Sequence, residues 1–554
     1  MSTGKTYIGL SLGNHNSVIA IINKDHRAEV IANEDGEHKT PSYIAFAGEE
    51  EYHGSQAKHQ FVRNAQNTIM GFRDLLGKKY AAEMNSLHPG FAKIEDKQGE
   101  PVFLVHTEND EGEAKELRLS AHEVTVRYLV RLRTTAEEYL GRKIEGAVLA
   151  LPVWFSDAQK QSVSDACAEA GLPLLQLVSE PVAAALQYGL AQGVSQAEPK
   201  DSVALVVDVG GGSSDVSLVA ARGGLLTVLS SGQTSEVSGD KVDELLARHF
   251  GAEFKRQTGI DVSPESGNAK AVRKLRQAVE STKRTLSSAP TAPCAVESLA
   301  DGMDFNGAIT RSRFDIMSNQ VFNPLLTTIA KVIADAGYTE RQVDQVLFCG
   351  GAARIRKLQT KVALMFPEST LMREDAGELD EIVAAGCAEQ AALIAQGAVQ
   401  ADSKPVKAEA LAHPLGLQLS ADSLAPVLLK DTPLPAERSI KVALPKGEKR
   451  AYIAVAEGEP VGPEPEKEDD ENEDAASDAE DYDEDAEEEE EEEYVERPLY
   501  RPSKLLAEMV LELDQATDDT RVEVTFFVGT DKKLTVTVSE PVSGKSIVAE
   551  IPQN

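Results

Sequence analysis

Cysteine is scarce in this sequence, and its spacing excludes two common ways of stabilising a fold. The chain of 554 residues has four cysteines and no CxxC pair. Disulfide frameworks and cysteine-based zinc sites need paired or clustered cysteines, so we expect neither. The pattern favours a reducing compartment, and a cytoplasmic location is expected. The cysteines are Cys167, Cys294, Cys349 and Cys387.

Long apolar runs are also missing. No run reaches the length of about eighteen residues that a membrane helix needs, so the sequence predicts no membrane partner. The first residues, Met-Ser-Thr-Gly-Lys-Thr, lead directly into a predicted strand, and we expect no signal region. Aromatic residues make up only 5% of the chain, but the hydrophobic content of 42% is sufficient for large cores.

Basic residues are too few to balance the acidic ones, and the excess is unevenly distributed. The net charge is −35, of which −20 lies in Glu464–Glu493, where 21 acidic residues accompany one lysine. We therefore expect no direct binding of nucleic acid. Such a composition cannot bury a core, so residues 457–494 are predicted to be an acidic disordered insert. Ser477 within it is a weak hypothesis for an acid-directed kinase site.

The stretch Leu205–Ser217 carries the first functional signal. An apolar run enters three glycines and leaves through Ser-Ser-Asp into a second apolar run, which predicts a β-hairpin. A turn without side chains lets backbone amides approach an anion such as phosphate. Asp208 and Asp215 flank the turn and could hold the cation that phosphates need. Alone, the stretch is equally consistent with an ordinary glycine hairpin.

A second hairpin of the same kind decides between these interpretations. Tyr7–Ala20 again reads strand, glycine-containing polar turn, strand. Two such hairpins suggest a duplicated lobe with a nucleotide between the halves. The pattern resembles the actin and sugar-kinase ATPase superfamily, and within it the DnaK-type heat-shock chaperones of seventy kilodaltons. The resemblance covers about residues 5–395 and implies an α/β fold, with an actin-like two-lobed ATPase domain at 1–396.

The first hairpin differs from that family at residues that the family uses for its chemistry. Ser11 stands where the family has Asp, and Asn14 and His15 stand where it has two threonines. Gly13 still matches, so we expect the loop to keep its shape and to bind ATP through Gly13, Asn14 and His15. The family's Asp helps to organise magnesium and its waters, a role that the neutral, shorter Ser11 cannot take over.

Arg73 is the second departure. The resemblance places a catalytic lysine here, a compact charge that holds the γ-phosphate and the attacking water. The planar, bulkier guanidinium is not its equivalent. Without the family pattern, Arg73 would be interpreted as a surface arginine on a helix. We therefore expect no active catalytic residue at Ser11 or Arg73, and hydrolysis that is very weak or lost.

Other positions match the family's magnesium and phosphate sites. Glu180, in Ser179-Glu-Pro, resembles a carboxylate of the magnesium sphere, and Asp208 also matches the family, although magnesium binding itself stays open. Ser238 replaces one glycine of a phosphate-contacting turn at Val237–Asp243, which puts the fit of that turn in doubt. The second phosphate turn that the resemblance implies consists of Gly210, Gly211, Gly212 and Ser213.

Two further stretches resemble the family's adenosine site. A helix at Lys270–Ser288 carries a polar stripe opposite its apolar face, which otherwise would be a solvated salt-bridge face. A strand then enters a Gly-Gly turn at residue 350, from which Arg354 could stack on adenine. The residues implied in adenosine binding are Glu280, Lys283, Arg284, Ser287, Gly350, Gly351, Ala352, Arg354 and Asp380.

The remainder of the chain predicts a small β-domain. Residues 397–412 are expected to be a linker, with Ala410–Ala412 a remnant of the family's leucine-rich segment. Short strands at 413–456 and 495–554 resemble a reduced peptide-binding β-domain, including the hairpin Arg521–Ser539. The long helical lid of typical members is expected to be missing.

Together, these departures resemble an atypical branch of the family, the chaperone-like subunit of the ribosome-associated complex. The resemblance implies a stable heterodimer with a zuotin-like J-domain protein, contact with the ribosome through that partner, and stimulation of a second, active chaperone on nascent polypeptides. ATP would be a structural ligand. The alternatives are an active ATP-driven foldase, a nucleotide-exchange-type relative and, more remotely, a sugar kinase.

Overall fold

The chain forms two compact units, Met1–Val406 and Lys407–Asn554. A computed structural model describes residues 5–87, 90–108, 114–190, 201–366, 370–373, 376–397, 408–461, 498–514 and 520–552. Most of the predicted acidic insert, with Ser477, and residues 398–407 of the predicted linker lie outside these ranges. In the described ranges, no helix is both long and apolar enough to cross a membrane. The first unit mixes helices and sheets, as the α/β prediction requires.

The first half of the first unit is built around a mixed sheet. The strands of this half are β1 (Tyr7–Leu12), β2 (Asn16–Ile22), β3 (Ala28–Val30), β4 (Thr40–Pro41), β5 (Ile44–Ala47), β6 (Glu50–His53), β7 (Thr68–Ile69), β8 (Lys93–Lys97), β9 (Glu100–Glu108), β10 (Ala114–Ser120), β11 (Gly146–Leu151) and β12 (Leu174–Ser179). Its helices are α1 (Gly54–Gln60), α2 (Met84–Leu87), α3 (Ala121–Leu140), α4 (Asp157–Glu169) and α5 (Glu180–Gln187).

The second half repeats this plan. Its strands are β13 (Ser202–Val209), β14 (Ser214–Arg222), β15 (Leu225–Thr234), β16 (Thr291–Ala300), β17 (Met303–Thr310), β18 (Gln345–Cys349) and β19 (Leu371–Arg373). Its helices are α6 (Gly239–Thr258), α7 (Ala269–Ser288), α8 (Arg311–Ser318), α9 (Asn323–Asp335), α10 (Arg356–Ala363) and α11 (Ile382–Ala395).

The two main sheets share one topology. The first has the order β12-β11-β1-β2-β3 and the second the order β19-β18-β13-β14-β15. In each, an antiparallel hairpin, β1–β2 or β13–β14, lies beside a strand that runs parallel to its first member. Because corresponding hairpins occupy corresponding positions, their turns are the equivalent loops of a duplicated half. The duplication predicted from the two glycine turns is therefore present in the sheets.

Local sequence explains why the helices beside these sheets begin where they do. Ser156 caps α4, its side chain accepting from the amide of Gln159 while Gln159 reaches back to the Ser156 backbone. Ser120 and Glu123 form the same capping box at α3. Apolar residues of the central strands β11, β13 and β14 are almost wholly buried, and one large core forms in each half. These cores fix the ends of the hairpins, which carry the site.

The second unit is built from strands. They are β20 (Leu415–Gln418), β21 (Leu424–Leu428), β22 (Ala436–Ala443), β23 (Arg450–Pro460), β24 (Tyr500–Glu512), β25 (Arg521–Val528), β26 (Leu534–Ser539) and β27 (Ser546–Ile551). They form two four-stranded sheets, β21-β20-β23-β24 and β22-β25-β26-β27. The predicted hairpin of β25 and β26 is present. Residues 408–461, 498–514 and 520–552 include no helix.

Two predicted boundaries of this unit need correction. Residues 457–460, assigned to the acidic insert, continue β23 and pair with β24. Leu411, assigned to the linker, is buried in the core of the second unit, and its amide donates to the carbonyl of Thr432. Residues 457–460 are held by backbone pairing with β24, and Leu411 by its burial and its backbone hydrogen bond, and the polar composition of the flanking tracts conceals both.

Candidate functional site

A cavity of about 440 Å³ in the first unit is lined by residues of both halves. Its walls are formed by the turns of both hairpins, by α7 and by the Gly-Gly turn after β18. The structure thus gathers widely separated stretches of the chain into one place. The sequence-predicted site residues that line it are Ser11, Gly13, Asn14, His15, Arg73, Glu180, Asp208, Gly210, Gly211, Gly212, Ser213, Glu280, Lys283, Arg284, Ser287, Gly350, Gly351, Ala352, Arg354 and Asp380.

The two hairpin turns touch each other through His15. A Cβ added to Gly211 would lie 2.4 Å from Cγ of His15, so only glycine allows the imidazole to pack on this turn. The second turn is closed by its own backbone, since the Gly210 amide donates to the Ser213 carbonyl at 2.9 Å. The region between the turns is where the sequence predicts phosphates.

His15 also connects the first half to α6 of the second. Its Nε2 donates to Oδ2 of Asp240 at 3.0 Å. Burial lowers the pKa of His15, but the neighbouring Asp240 carboxylate outweighs burial and leaves the pKa raised above its usual value. The other ring nitrogen, Nδ1, is buried and has no hydrogen-bond partner among the described residues. Sequence reasoning named His15 but missed Asp240.

Ser238 has a structural reason to replace glycine. Its side chain accepts from the amide of Lys241 at 3.3 Å and caps α6. The following amides dock on the second phosphate turn: Gly239 donates to the Gly210 carbonyl at 3.0 Å and Asp240 to the Gly211 carbonyl at 2.8 Å. The loop therefore packs against the glycine turn with serine in the place of glycine.

Arg73 is held tightly by protein groups. It lies in a 3-10 turn and is only 7% exposed, so its interpretation as a surface arginine on a helix is wrong. Nε donates to Asp74 at 2.8 Å, and Nη1 donates to the carbonyl of Leu12 at 3.0 Å and to Glu180 at 3.2 Å. Burial lowers the pKa of Arg73, but Asp74 and Glu180 raise it by a larger amount. The pKa is therefore above its usual value, and the side chain stays charged.

Acidic groups collect beside Arg73. Burial raises the pKa of Glu180 to about 8, and it raises that of Asp215 to about 7, with the negative charge of Asp208 adding to both. The pKa of Asp208 is raised for the same reason. Trp154 Nε1 donates to Asp215 at 2.9 Å. The cluster attracts positive charge, and Arg73 supplies part of it.

The residues present do not form a metal site by themselves. Among the described residues, no group of three or more His, Cys, Asp or Glu side chains is arranged to hold a metal ion. One oxygen of Glu180 already accepts from Arg73, and Ser11 brings no charge. A magnesium ion implied by the resemblance would be held by Glu180 and Asp208 together with waters and phosphate oxygens, since Mg²⁺ usually takes only one or two carboxylates from a protein, and no step is assigned to it.

The polar stripe of α7 faces the cavity. Both oxygens of Glu280 accept from Lys58 of the first half at 2.8 Å, and Lys283 donates to Asp243 at 2.7 Å. The side chain of Lys283 is 13% exposed, so the interpretation of a solvated face fails for it. Arg284 is 58% exposed and lies on the rim, where it pairs with Glu280.

The Gly-Gly turn after β18 forms another wall. Gly350 has φ +85°, and a Cβ there would lie 2.4 Å from Oδ1 of Asp208, so the turn requires glycine. Arg354 is held by Asp380 and by Glu378, and Lys39 from the first half also pairs with Asp380. The guanidinium that could stack on a base is therefore already oriented at the cavity edge.

The residues that sequence reasoning missed come mainly from the first half. Lys39 and Lys58 lie outside any motif, and their acidic partners are more than 200 positions away. No local pattern marks such a residue, because pairing across the cavity depends on how the halves dock. Asp240 was detectable, since it lies within the phosphate-contacting turn at Val237–Asp243.

Comparisons with known proteins agree with this architecture. The family described as Hsp70 protein matches residues 7–468. The Heat shock protein 70 homolog C57A7.12 of Schizosaccharomyces pombe is 37% identical over 468 residues, covering 82% of this chain and 81% of that protein. The Ribosome-associated complex subunit SSZ1 of Saccharomyces cerevisiae is 34% identical over 467 residues, covering 82% and 84%. A Ribosome-associated molecular chaperone of Candida glabrata is 36% identical over 431 residues, covering 77% and 68%.

Proposed function

Because this chain belongs to the Hsp70 family, we propose that it is a ribosome-associated chaperone subunit that holds ATP but hydrolyses it poorly. The observation that carries the proposal is that protein groups already engage the side chain of Arg73. The position where the family has its catalytic lysine is occupied by a buried guanidinium that Asp74, Glu180 and the Leu12 carbonyl already engage.

The cavity fits a nucleotide by the chemistry of its walls. The glycine turns at 13 and 211–212 offer backbone amides to phosphates, and α7 offers charged and hydroxyl groups to the nucleoside. Three buried polar atoms of the lining have no partner among the described residues: Oδ1 of Asn14, Nδ1 of His15 and Oδ1 of Asp243. Buried polar atoms are normally paired, so these support a polar ligand.

Weak hydrolysis follows from the same residues. Transfer of a phosphoryl group depends on charges that are positioned for the transition state, and losing one typically costs at least about a hundredfold in rate. Ser11 brings no charge to the first turn. Arg73 brings charge, but its fork is fixed on Glu180 and Asp74, away from the role of a mobile lysine. ATP would then act as a structural ligand that stabilises the folded unit by mass action.

The proposed cellular role rests on likeness. One relative is named as a subunit of the ribosome-associated complex and others as ribosome-associated chaperones. We assign this chain a stable pairing with a zuotin-like J-domain protein, ribosome contact through it in the cytoplasm, and support of a second, active chaperone acting on nascent polypeptides. The strand-built second unit supports a reduced peptide-binding-like β-domain.

The nucleotide part is tested with purified full-length protein. Saturating ATP should raise the thermal midpoint by several degrees, whereas phosphate release should stay near background. Turnover comparable with that of an ordinary Hsp70 chaperone would favour the alternative of an active foldase. Absence of any ATP-dependent stabilisation would contradict nucleotide binding itself.

The double substitution Ser11→Asp with Arg73→Lys tests the cause of the weak hydrolysis. It restores both charges in the family's chemical form, so hydrolysis should rise by at least about tenfold over the wild-type chain. The matched control is Arg118→Lys, a change at the surface partner of Glu95. If hydrolysis does not rise, the loss does not originate at Ser11 and Arg73.

A pull-down from cytosol at moderate salt tests the partners. The full chain should recover a J-domain protein in equal amount, together with ribosomes. Recovery of ribosomes should disappear when the J-domain protein is removed. Ribosome binding by this chain alone would contradict the proposed route through the partner.

A further inference from the structure

His15 has a role in the cavity that the family pattern does not supply. Its ring lies between the two phosphate turns, with Cε1 3.4 Å from the position of a Cβ on Gly212. Its side chain is 18% exposed, and it is the group through which the first turn reaches α6 of the second half. The ring therefore borders the space in which the sequence predicts phosphates.

The hydrogen bonds of the ring decide which phosphate chemistry it can offer. Nε2 donates a hydrogen bond to Asp240, so Nδ1 is the ring nitrogen that remains to contact a phosphate. In the neutral ring, Nδ1 carries no proton and can only accept. A phosphate oxygen also accepts, so the two can pair only when the ring is an imidazolium with a proton on both nitrogens.

The surroundings favour that charged form. Asp240 on α6 and Glu280 on α7 face the ring and raise its pKa, whereas burial and Lys283 on α7 lower it, and the balance is upward. Burial raises the pKa of Asp240, but His15 itself, and after it Arg276 and Lys283 on α7, outweigh burial and keep that carboxyl ionised. Nδ1 is buried without a partner in the part of the chain that the structure describes. In the imidazolium form, Nδ1 would therefore be a buried donor that has no acceptor among these residues.

We propose that the His15 imidazolium is a phosphate ligand, so that this chain takes up a proton when it binds ATP at a pH where the ring of the free protein is not fully protonated. The inference rests on the proposed ATP binding and deepens it. Binding of the phosphates stabilises the protonated ring, and ATP affinity falls as pH rises through the His15 pKa, by on the order of tenfold for a charge-assisted hydrogen bond. Adenosine, which has no phosphate, shows no such dependence.

The test is titration calorimetry of the full chain with ATP and with adenosine, in buffers of different ionisation enthalpy, from pH 6.5 to about 9. The difference between buffers counts the protons taken up. Wild-type protein should take up a fraction of a proton with ATP and none with adenosine. His15→Gln should abolish the uptake and weaken ATP binding at pH 7 by on the order of tenfold. The titration of ATP itself is common to both proteins and cancels in the comparison.

Two further variants make the result specific. His122→Gln removes another imidazole that pairs with a carboxylate, Glu169, on the surface, and it should behave as wild type. Asp240→Asn removes the charge that raises the His15 pKa, so the pH of maximal proton uptake should fall. This shift decides the question if His15→Gln does not fold.

The outcomes separate the two proposals. Equal proton uptake by wild type and His15→Gln, or an ATP affinity independent of pH, overturns the role of His15 while leaving ATP binding intact. Adenosine binding without ATP binding also overturns it. If wild-type protein binds neither compound at any pH, the proposed function fails and this inference fails with it.

Discussion

At the scale of single residues, Arg73 links stability to the lost chemistry. It is buried beside Glu180, whose pKa burial raises to about 8, and Arg73 is the neighbour that lowers it. Removing one partner of a buried ion pair leaves the other charge uncompensated. The side chain that stands in the place of the family's catalytic lysine is therefore also part of the support of the site.

The substitution Arg73→Met should destabilise the first unit by about 3–5 kcal/mol at pH 8, because Asp74 and Glu180 lose the buried charged partner that donates to both. Urea unfolding followed by the fluorescence of Trp154, the one tryptophan, reports on this region directly, since its indole donates to Asp215 in the same cluster. Arg118→Met, at an exposed pair with Glu95, should cost less than about 1 kcal/mol.

The cost of Arg73→Met should also depend on pH. The pKa of Glu180 is higher in the folded chain than its ordinary value of 4.5, so its protonation favours the folded state. That contribution is present at low pH and is lost as pH rises from about 4.5 through the folded value. Without Arg73 the folded pKa is higher still, so the deficit should be smaller at pH 5 than at pH 8. A deficit that is equal at both pH values would contradict the pairing.

At the scale of elements, α7 shows what a local pattern can predict. The helix was expected at Lys270–Ser288 and spans Ala269–Ser288, because Leu275, Val279 and Leu286 recur at helical spacing and are buried. The docking of its polar stripe was not predictable, since Lys58 reaches Glu280 from a separate half. Periodicity is encoded by neighbours in sequence, whereas an ion pair across a cavity depends on tertiary packing.

Helix α6 carries the element-scale prediction. Ser238→Ala removes the oxygen that accepts from the Lys241 amide and should cost about 1 kcal/mol, whereas Ser238→Gly, the family's residue, should cost only a few tenths. The urea midpoints of the two variants measure the difference. If glycine is as costly as alanine, the serine is retained for its packing and not as a cap.

At the scale of the whole molecule, the duplication could be predicted from the sequence, whereas the boundaries of the second unit could not. Two glycine turns predicted two equivalent hairpins, and the sheets of both halves have the same order around them. Leu411 and residues 457–460 were assigned to a linker and an insert from their polar surroundings, yet they belong to the strand-built unit. Composition averages over a window, so it places the edge of a folded unit only to within a few residues.

The arrangement of the cavity makes a prediction about where ATP acts in the full chain. Its phosphate turns belong to different halves, and Lys39–Asp380 and Lys58–Glu280 pair across it. A ligand that contacts both halves adds its binding free energy to every opening that separates them. Hydrogen exchange of the full chain with saturating ATP should therefore slow at both turns, residues 13–15 and 210–213, and in α7.

Adenosine provides the control for that experiment, because it lacks the group that the turns are expected to hold. It should slow exchange in α7 and near residues 350–354 but leave both phosphate turns close to their rates without ligand. The described strands of the second unit, 408–461, 498–514 and 520–552, line no part of the cavity and should gain less protection than the turns. Protection confined to one half would mean that the nucleotide does not bridge the turns, and slowing centred on the second unit would place the binding site elsewhere.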